Sequence, residues 1–370
     1  MKINIFSPGR FHVCDLAREL SNQGFDVKFY SFVSASRAEK FGLPRKCSAS
    51  VLWAVWPFLL LERKLFKTSA WAKHLRIRFQ DWVTSVVMRK ADVVIAMSGG
   101  FVQAPRKAKK AGSIIIYERG SKHILEQKRI LEAINRIKGV ERQFDEFNVR
   151  RELASYAQAD YIAIATKHVY ESFRPHDFPM DKLFVNPYGV DLKEFYPMPD
   201  VEKKYDVIMV GGWSLRKGCD LIVDAIRQSG LKFLHVGGIV DLAFPKDENF
   251  THVGAVDQKT LVNYYAQARV FVLPSREEGL AMVQAQAIAC NLPMIGSPDS
   301  GAEDLQKMVA NPEYIEIIKE FTPQEVLRCI NIQLEKQKTM GDIRYVGAAA
   351  DNLTWQAYGK RYAEFLNHLK

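Results

Sequence analysis

Cysteine is scarce in these 370 residues, and no cysteine has a near partner. Cys14, Cys47, Cys219, Cys290 and Cys329 stand far apart, with no CxxC pair and no histidine at metal-ligand spacing. That pattern excludes a zinc ribbon or a dithiol redox centre and reads as reduced thiols in a cytoplasmic protein. Low-complexity tracts and short internal repeats are also missing, which excludes disorder and solenoids. Long hydrophobic runs are absent. The longest, Val51 to Leu61, is interrupted by Pro57 and falls well short of the roughly 20 residues a spanning helix needs. The chain begins directly with a strand-like run, Ile3 to Phe6, so no leader is expected.

What is present is an ordinary soluble mixture, 48% hydrophobic and 25% charged, long enough for two α/β domains. The net charge of +10 implies acidic partners, whether phosphates, nucleic acid or an anionic membrane surface. Its placement is uneven. Arg63, Lys64, Lys67, Lys73, Arg76, Arg78, Arg89 and Lys90 face only Glu62 and Asp81, and Arg106, Lys107, Lys109 and Lys110 follow. Trp53, Trp56, Phe58, Phe66, Trp71, Phe79 and Trp82 interleave with the first group. Basic residues among aromatics suit an interfacial helix on anionic lipid or single-stranded nucleic acid, or else a core helix with a solvated basic face.

Apolar periodicity gives strand, turn, helix, strand over the first thirty residues, with Pro8-Gly9 as the turn and Gly24 as the helix stop. Further strands are expected at Val93–Met97, Ile114–Tyr117 and Tyr161–Thr166. A turn-rich segment from Pro187 to Pro199 reads as a linker. The alternation then restarts at Val207–Val210, Phe233–Val236, Val270–Leu273 and Met294–Gly296. The expected units are residues 1–188, residues 189–352, and a C-terminal helix in 353–370 that packs back on the first domain. Ligands in such sheets bind at the carboxyl ends of the strands.

Two segments occupy that position. Val210-Gly211-Gly212-Trp213-Ser214-Leu215-Arg216-Lys217-Gly218 follows a strand and opens a helix, so its amides and its two cations suit a diphosphate. A plain glycine turn with two solvated basic residues is the equal alternative. Pro274-Ser-Arg-Glu-Glu-Gly-Leu-Ala-Met282 also joins a strand to a helix. Its carboxylates suit sugar hydroxyls, although Glu278 as a simple helix cap fits the pattern as well.

The run from Pro274 to Pro293 resembles the signature of the GT4 glycosyltransferases, which have the GT-B fold. Asn186-Pro-Tyr-Gly-Val-Asp191 with Phe195 resembles the family's inter-domain element, and Val210–Gly218 its phosphate loop. The resemblance implies an α/β protein of two Rossmann-like domains facing a central cleft. It implies a retaining, metal-independent hexosyltransferase with no cofactor and a nucleotide-diphosphate sugar as co-substrate. No Asp-x-Asp motif of the metal-using transferases occurs. Arg216 and Lys217 would hold the diphosphate, Glu278 the donor sugar, and Gly211, Gly212, Gly279, Leu280, Ala281 and Met282 would bring backbone to the donor. Gly9 would face the cleft from the first domain, and His123 would lie near the transferred sugar, with Arg119 a weaker candidate.

Two departures from the family pattern stand out. Gln286 replaces the glutamate that usually holds the ribose, and Gly212 replaces a frequent arginine of the phosphate loop. Two competing readings follow: a non-catalytic nucleotide-sugar-binding protein and a GT-B nucleotide-sugar epimerase. The expected acceptor is a glycan or lipid-linked, as in surface polysaccharide or lipopolysaccharide synthesis. The expected place is the cytoplasm, with peripheral contact on an anionic membrane surface, and nucleic acid is not an expected partner.

Overall fold

A computed structural model describes residues 1–56, 70–137, 139, 144–340 and 350–369; part of the basic and aromatic stretch, residues 57–69, lies outside it. The chain opens with β1 (Lys2–Ser7), α1 (Val13–Asn22) and β2 (Asp26–Ser31). β3 (Ser48–Ser50), α3 (Ala70–Val87), β4 (Val93–Met97), α4 (Gln103–Lys110) and β5 (Ile114–Arg119) follow, with a short α2 (Ala35–Glu39) between β2 and β3. α5 (Ile124–Ile137), α6 (Glu146–Tyr156), β6 (Tyr161–Ile164), α7 (Lys167–Phe173) and β7 (Leu183–Val185) complete the first domain. Its sheet is parallel throughout, in the order β3-β2-β1-β4-β5-β6-β7.

The second domain repeats the plan. β8 (Tyr205–Val210), α8 (Cys219–Ser229), β9 (Phe233–Val236), β10 (Phe250–Val253), α9 (Gln258–Ala266) and β11 (Ala268–Leu273) lead to α10 (Met282–Ala289), β12 (Met294–Gly296), α11 (Ala302–Gln306), β13 (Ile315–Ile317) and α12 (Pro323–Met340). The order is β10-β9-β8-β11-β12-β13, again all parallel. The central strands are nearly continuous apolar runs because helices cover both faces. These are two Rossmann-like sheets, and the GT-B architecture implied by the resemblance holds.

In each sheet the strand order reverses at one place, between β1 and β4 and between β8 and β11. The loops that leave these strands diverge there and open a crevice at the carboxyl ends. The chain returns to the first domain through α13 (Ala350–Leu353) and α14 (Trp355–His368). Thr354 caps α14 by accepting from the Ala357 amide at 3.1 Å. Phe365 stacks on Phe184 at 4.1 Å, Gly359 sits against Glu19 of α1, and Arg361 grips Asn186 and the Pro187 carbonyl. The final helix therefore ties the linker to the first domain.

Candidate functional site

The loop after β8 enters α8 through a 3-10 turn, Leu215–Lys217, whose cap Ser214 accepts from the Lys217 amide. Gly218 ends the turn at φ +71°, and a Cβ there would lie 2.3 Å from the Pro274 carbonyl oxygen. Only glycine allows this loop to press on the loop after β11. The two loops flanking the β8/β11 reversal are thereby locked together, and Arg276 reinforces them by donating to the Leu215 carbonyl and to Asp220, each at 2.6 Å.

Across this junction Lys217 Nζ lies 2.6 Å from Glu278 Oε1, and Arg216 lies 3.3 Å from the same oxygen. Burial alone pushes the Glu278 carboxyl up, but Lys217 and Arg216 outweigh it and hold it below the ordinary carboxylate range. The Lys217 side chain also lies beside Gly211. Gly211, Arg216, Lys217 and Glu278 thus form one compact charged group at the strand ends. α10 begins directly beyond it, with Ala281 as an uncapped N-terminal residue and no acid in the first turn. An anion placed here meets two cations and a helix N-terminus.

Glu277 has a different role. It is fully buried, accepting from Arg216 at 3.3 Å, from Gln127 at 3.2 Å and from the Ser121 hydroxyl. Ser121 and Gln127 belong to the first domain, so this carboxylate bridges the cleft. Lys122 pairs with Asp299, His168 of α7 donates to the Glu278 carbonyl at 3.0 Å, and the Lys167 amide donates to Asp304 at 3.0 Å. The two domains therefore meet along one edge of the cleft through polar contacts that surround the EG loop.

The other side of the cleft opens into a pocket between the two domains. Arg10, Phe11, His12 and Asp15 line it from the first domain, Gln258, Met282 and Gln286 from the second, and Asp191, Phe195 and Trp355 from the linker region. Gln286 accepts from the Tyr265 hydroxyl at 3.2 Å, leaving its amide group for a ligand. His12 is held by Glu118 at 3.0 Å and lies against the Tyr188 ring. Arg10, His12 and Gln258 line this pocket, and motif reading passed over them. The available signal was position, since Arg10 to His12 directly follow the first glycine turn at a strand end.

Gly9 opens that loop, one residue before the pocket lining begins, with its carbonyl bonded to Ser7 Oγ at 2.7 Å. Gly212 lies at the outer side of the phosphate loop, beside Val240. Leu280 and Ala281 are buried between the EG loop and α10. Arg119 ends β5, and His123 directly precedes α5. His123 is buried among Tyr156, Phe173 and His176, with ring distances of 5.0, 4.9 and 4.1 Å, and does not reach the cleft. Arg119 is consumed by Glu152 at 2.8 Å and by Gln127 and the Lys122 carbonyl, each at 2.7 Å. Both residues support the 120–122 loop from beneath.

A further histidine braces the phosphate loop. His235 Nε2 lies 2.8 Å from the Gly211 carbonyl, which only accepts, so this nitrogen carries the proton. Its Nδ1 is then an acceptor, and His252 Nδ1 donates to it at 2.9 Å. Burial lowers the His235 pKa to about 4 and that of His123 to about 3, both from an ordinary 6.5. As pH falls below about 6.5 the unfolded chain takes up protons that the folded chain refuses, so stability is present above that pH and is lost on acidification. Calorimetry between pH 7 and pH 4 should show a loss on the order of 2–3 kcal/mol from each group. His123→Phe should flatten the profile; an unchanged slope would mean that His123 already titrates freely in the folded protein.

Residues 204–322 match the family model for glycosyl transferases group 1. Among curated proteins the matches cover 34% to 62% of the relatives' own length. One is a GDP-mannose-dependent alpha-(1-6)-phosphatidylinositol monomannoside mannosyltransferase from Mycolicibacterium smegmatis, 24% identical over 56% of this chain and 62% of that protein. Among solved structures, sucrose-phosphate synthase from Thermosynechococcus elongatus superposes with a TM-score of 0.72 at 16% identity, covering 100% of this chain and 99% of the other. Anabaena HepE in complex with UDP and glucose superposes with a TM-score of 0.70 at 14% identity, over 99% of both chains. At these identities the structures show the shared fold.

Proposed function

We propose, from the premise that this is a GT-B protein with a group 1 glycosyltransferase domain on its second half, that the chain transfers a sugar from a nucleotide-diphosphate donor to a glycan or lipid-linked acceptor with retention of configuration. The observation that carries this reading is the Lys217–Arg216–Glu278 group at the β8/β11 reversal, next to the N-terminus of α10. The donor diphosphate would draw Lys217 and Arg216 from Glu278 to its oxygens. The freed carboxylate would then accept from hydroxyls of the donor sugar. Gln286 would hold the ribose in the pocket beyond.

In the reaction the bond from the sugar's C1 to the diphosphate oxygen breaks as the acceptor oxygen bonds on the same face. The departing phosphate takes the acceptor proton, and Lys217 and Arg216 stabilise the charge that gathers on it. This division of labour is consistent with a diphosphate site built on cations, without a bound metal. HepE, a protein of the same fold, binds UDP and glucose, and the mycobacterial relative acts on a lipid-linked mannoside. Both precedents support the donor and acceptor classes proposed.

The test is incubation with a panel of nucleotide sugars in the absence of acceptor. Slow release of free nucleotide diphosphate from one donor, with an α- or β-sugar matching the donor's configuration, supports a retaining transferase. Appearance of an epimer instead would establish an epimerase. Binding with no turnover would leave only a nucleotide-sugar-binding protein. Gln286→Glu provides a further check, because a charged acceptor bonds ribose hydroxyls more strongly and can still accept from Tyr265. Calorimetric titration should show the nucleotide bound about five- to tenfold more tightly, the effect of about 1 kcal/mol. Unchanged affinity would remove Gln286 from the ribose.

A further inference from the structure

Helix α3 is inside out. Its buried residues are Ala72, Gln80, Asp81, Val83, Thr84 and Ser85, mostly small or polar. Its outward positions at spacings of four, seven and four residues are Trp71, Leu75, Trp82 and Val86, each 47% to 58% exposed. Residues at those spacings share one helical face. A soluble helix normally does the reverse, and a contiguous exposed apolar stripe marks a contact surface. Trp53 and Trp56 extend the apolar set and are more than half exposed. They follow β3 directly, so they stand at the carboxyl edge of the sheet, where the cleft opens.

The surroundings are basic. Between residues 70 and 111 nine lysines and arginines face two carboxylates. Asp81 is consumed by the amides of Val102, Gln103 and Ala104 and by Arg151, and Asp92 accepts from the Lys2 amide. Asp145 pairs with His74 at 2.9 Å and faces Lys73, and Asp26 takes Arg89 at 2.9 Å, while Arg78 and Lys90 stand exposed. α4 packs on α3, joined by Lys107 Nζ to the Ser85 carbonyl at 2.7 Å, and presents exposed Arg106 and Lys110.

We propose that the Trp71–Val86 face of α3, with the α4 cations and Trp53 and Trp56, docks the first domain on an anionic lipid bilayer. Indole rings favour the headgroup level, and each cation near an anionic leaflet adds to the attraction. A second copy of the chain does not suit this face, because pairing would bring like charges together. Among the described residues no helix is long and apolar enough to cross a membrane, so the contact is with the surface. The docked face adjoins the cleft mouth, where a lipid-linked acceptor would enter. In that respect the inference rests on the acceptor class proposed above.

The test is co-sedimentation of the full chain with vesicles of phosphatidylcholine alone and of phosphatidylcholine with 30% phosphatidylglycerol. Binding should be at least about tenfold tighter to the anionic vesicles and should fall steeply in 0.5 M salt. Trp71→Ser with Trp82→Ser, and separately Arg106→Glu with Lys110→Glu, should each weaken it about tenfold or more. Both pairs belong to first-domain helices, whereas Arg216, Lys217 and Glu278 belong to the second domain, so acceptor-free donor hydrolysis should be unchanged. Equal binding to both vesicles, or variants that bind like the parent, would overturn the proposal. So would dimerisation, or binding of a single-stranded oligonucleotide in place of vesicles, lost in these variants. Donor hydrolysis without vesicle binding sinks the docking surface alone; vesicle binding without donor hydrolysis sinks the transferase reading alone.

Discussion

Lys217→Ala is expected to lower donor turnover by about 10²–10³-fold, the usual loss when one preorganised partner of a developing oxyanion is removed. The reasoning starts from position. Lys217 sits at the end of the 3-10 turn that the Gly218 conformation makes possible, and its ammonium points at Glu278 from 2.6 Å. In the closed site it is the cation most enclosed by the two strand-end loops, since Arg216 is the more exposed of the pair. A diphosphate seated in this corner would gain from Lys217 a largely desolvated charge contact. Removing that contact should raise KM, and because charge grows on the leaving group during the reaction it should lower kcat as well.

Two readouts check this. A diphosphate nucleotide should raise the melting temperature of the parent protein with the logarithm of its concentration above Kd and should barely move that of the variant. The Glu278 carboxyl, which burial pushes up and Lys217 holds down, should titrate at higher pH in Lys217→Ala. Lys217→Arg should recover part of the affinity, since charge is kept while the point geometry is changed. If Lys217→Ala turns over donor within about threefold of the parent, the loop does not hold the diphosphate and Lys217 serves only to pair Glu278.

How far the sequence discloses this arrangement depends on burial. The nine central strands are legible because helices cover both of their faces, leaving apolar runs such as Val93-Val-Ile-Ala-Met97. The four strands that sequence patterning did not reveal are β3, β7, β10 and β13, which are the four sheet edges. Each is three or four residues long and only partly buried, as in Ser48-Ala-Ser50, so no hydrophobic period survives in it. The grouping of Arg216, Lys217 and Glu278 is legible because glycines and charges at a strand end have few other uses. The depth of His123 is not legible, because a motif position carries no information about burial. Its ring turned inward to the aromatic cluster, and the histidine that does line the cleft, His12, has no motif to advertise it. Glu277 and Glu278 are adjacent in sequence and share Arg216, but Glu277 also reaches Ser121 of the first domain whereas Glu278 pairs with Lys217.

That bridge leads to the second large effect: Gly279→Ala should reduce turnover about 100-fold while changing nucleotide affinity less than about threefold. A Cβ on Gly279 would lie 2.1 Å from the Gly120 carbonyl oxygen, 2.7 Å from its carbon and 3.2 Å from the Ser121 amide. All three are backbone atoms of the other domain, so no flexible side chain can swing aside, and the domains must part by about an ångström. Parting would draw Ser121 and Gln127 away from the fully buried Glu277 and His168 from the Glu278 carbonyl. Donor sugar and acceptor would then be held out of line, a displacement that commonly costs about 100-fold in rate. Lys217, Arg216 and Gln286 lie on one domain, so the contacts proposed for the nucleotide stay intact. Gly120→Ala is the control. Its Cβ would meet only the Tyr188 hydroxyl at 3.6 Å, an ordinary contact, and the variant should behave as the parent. Small-angle scattering and acceptor-free hydrolysis on both variants decide the matter. A Gly279→Ala protein that stays closed and active would show that the cleft edge yields locally. One that loses nucleotide binding as well would show that the EG loop, rather than domain closure, carries the effect.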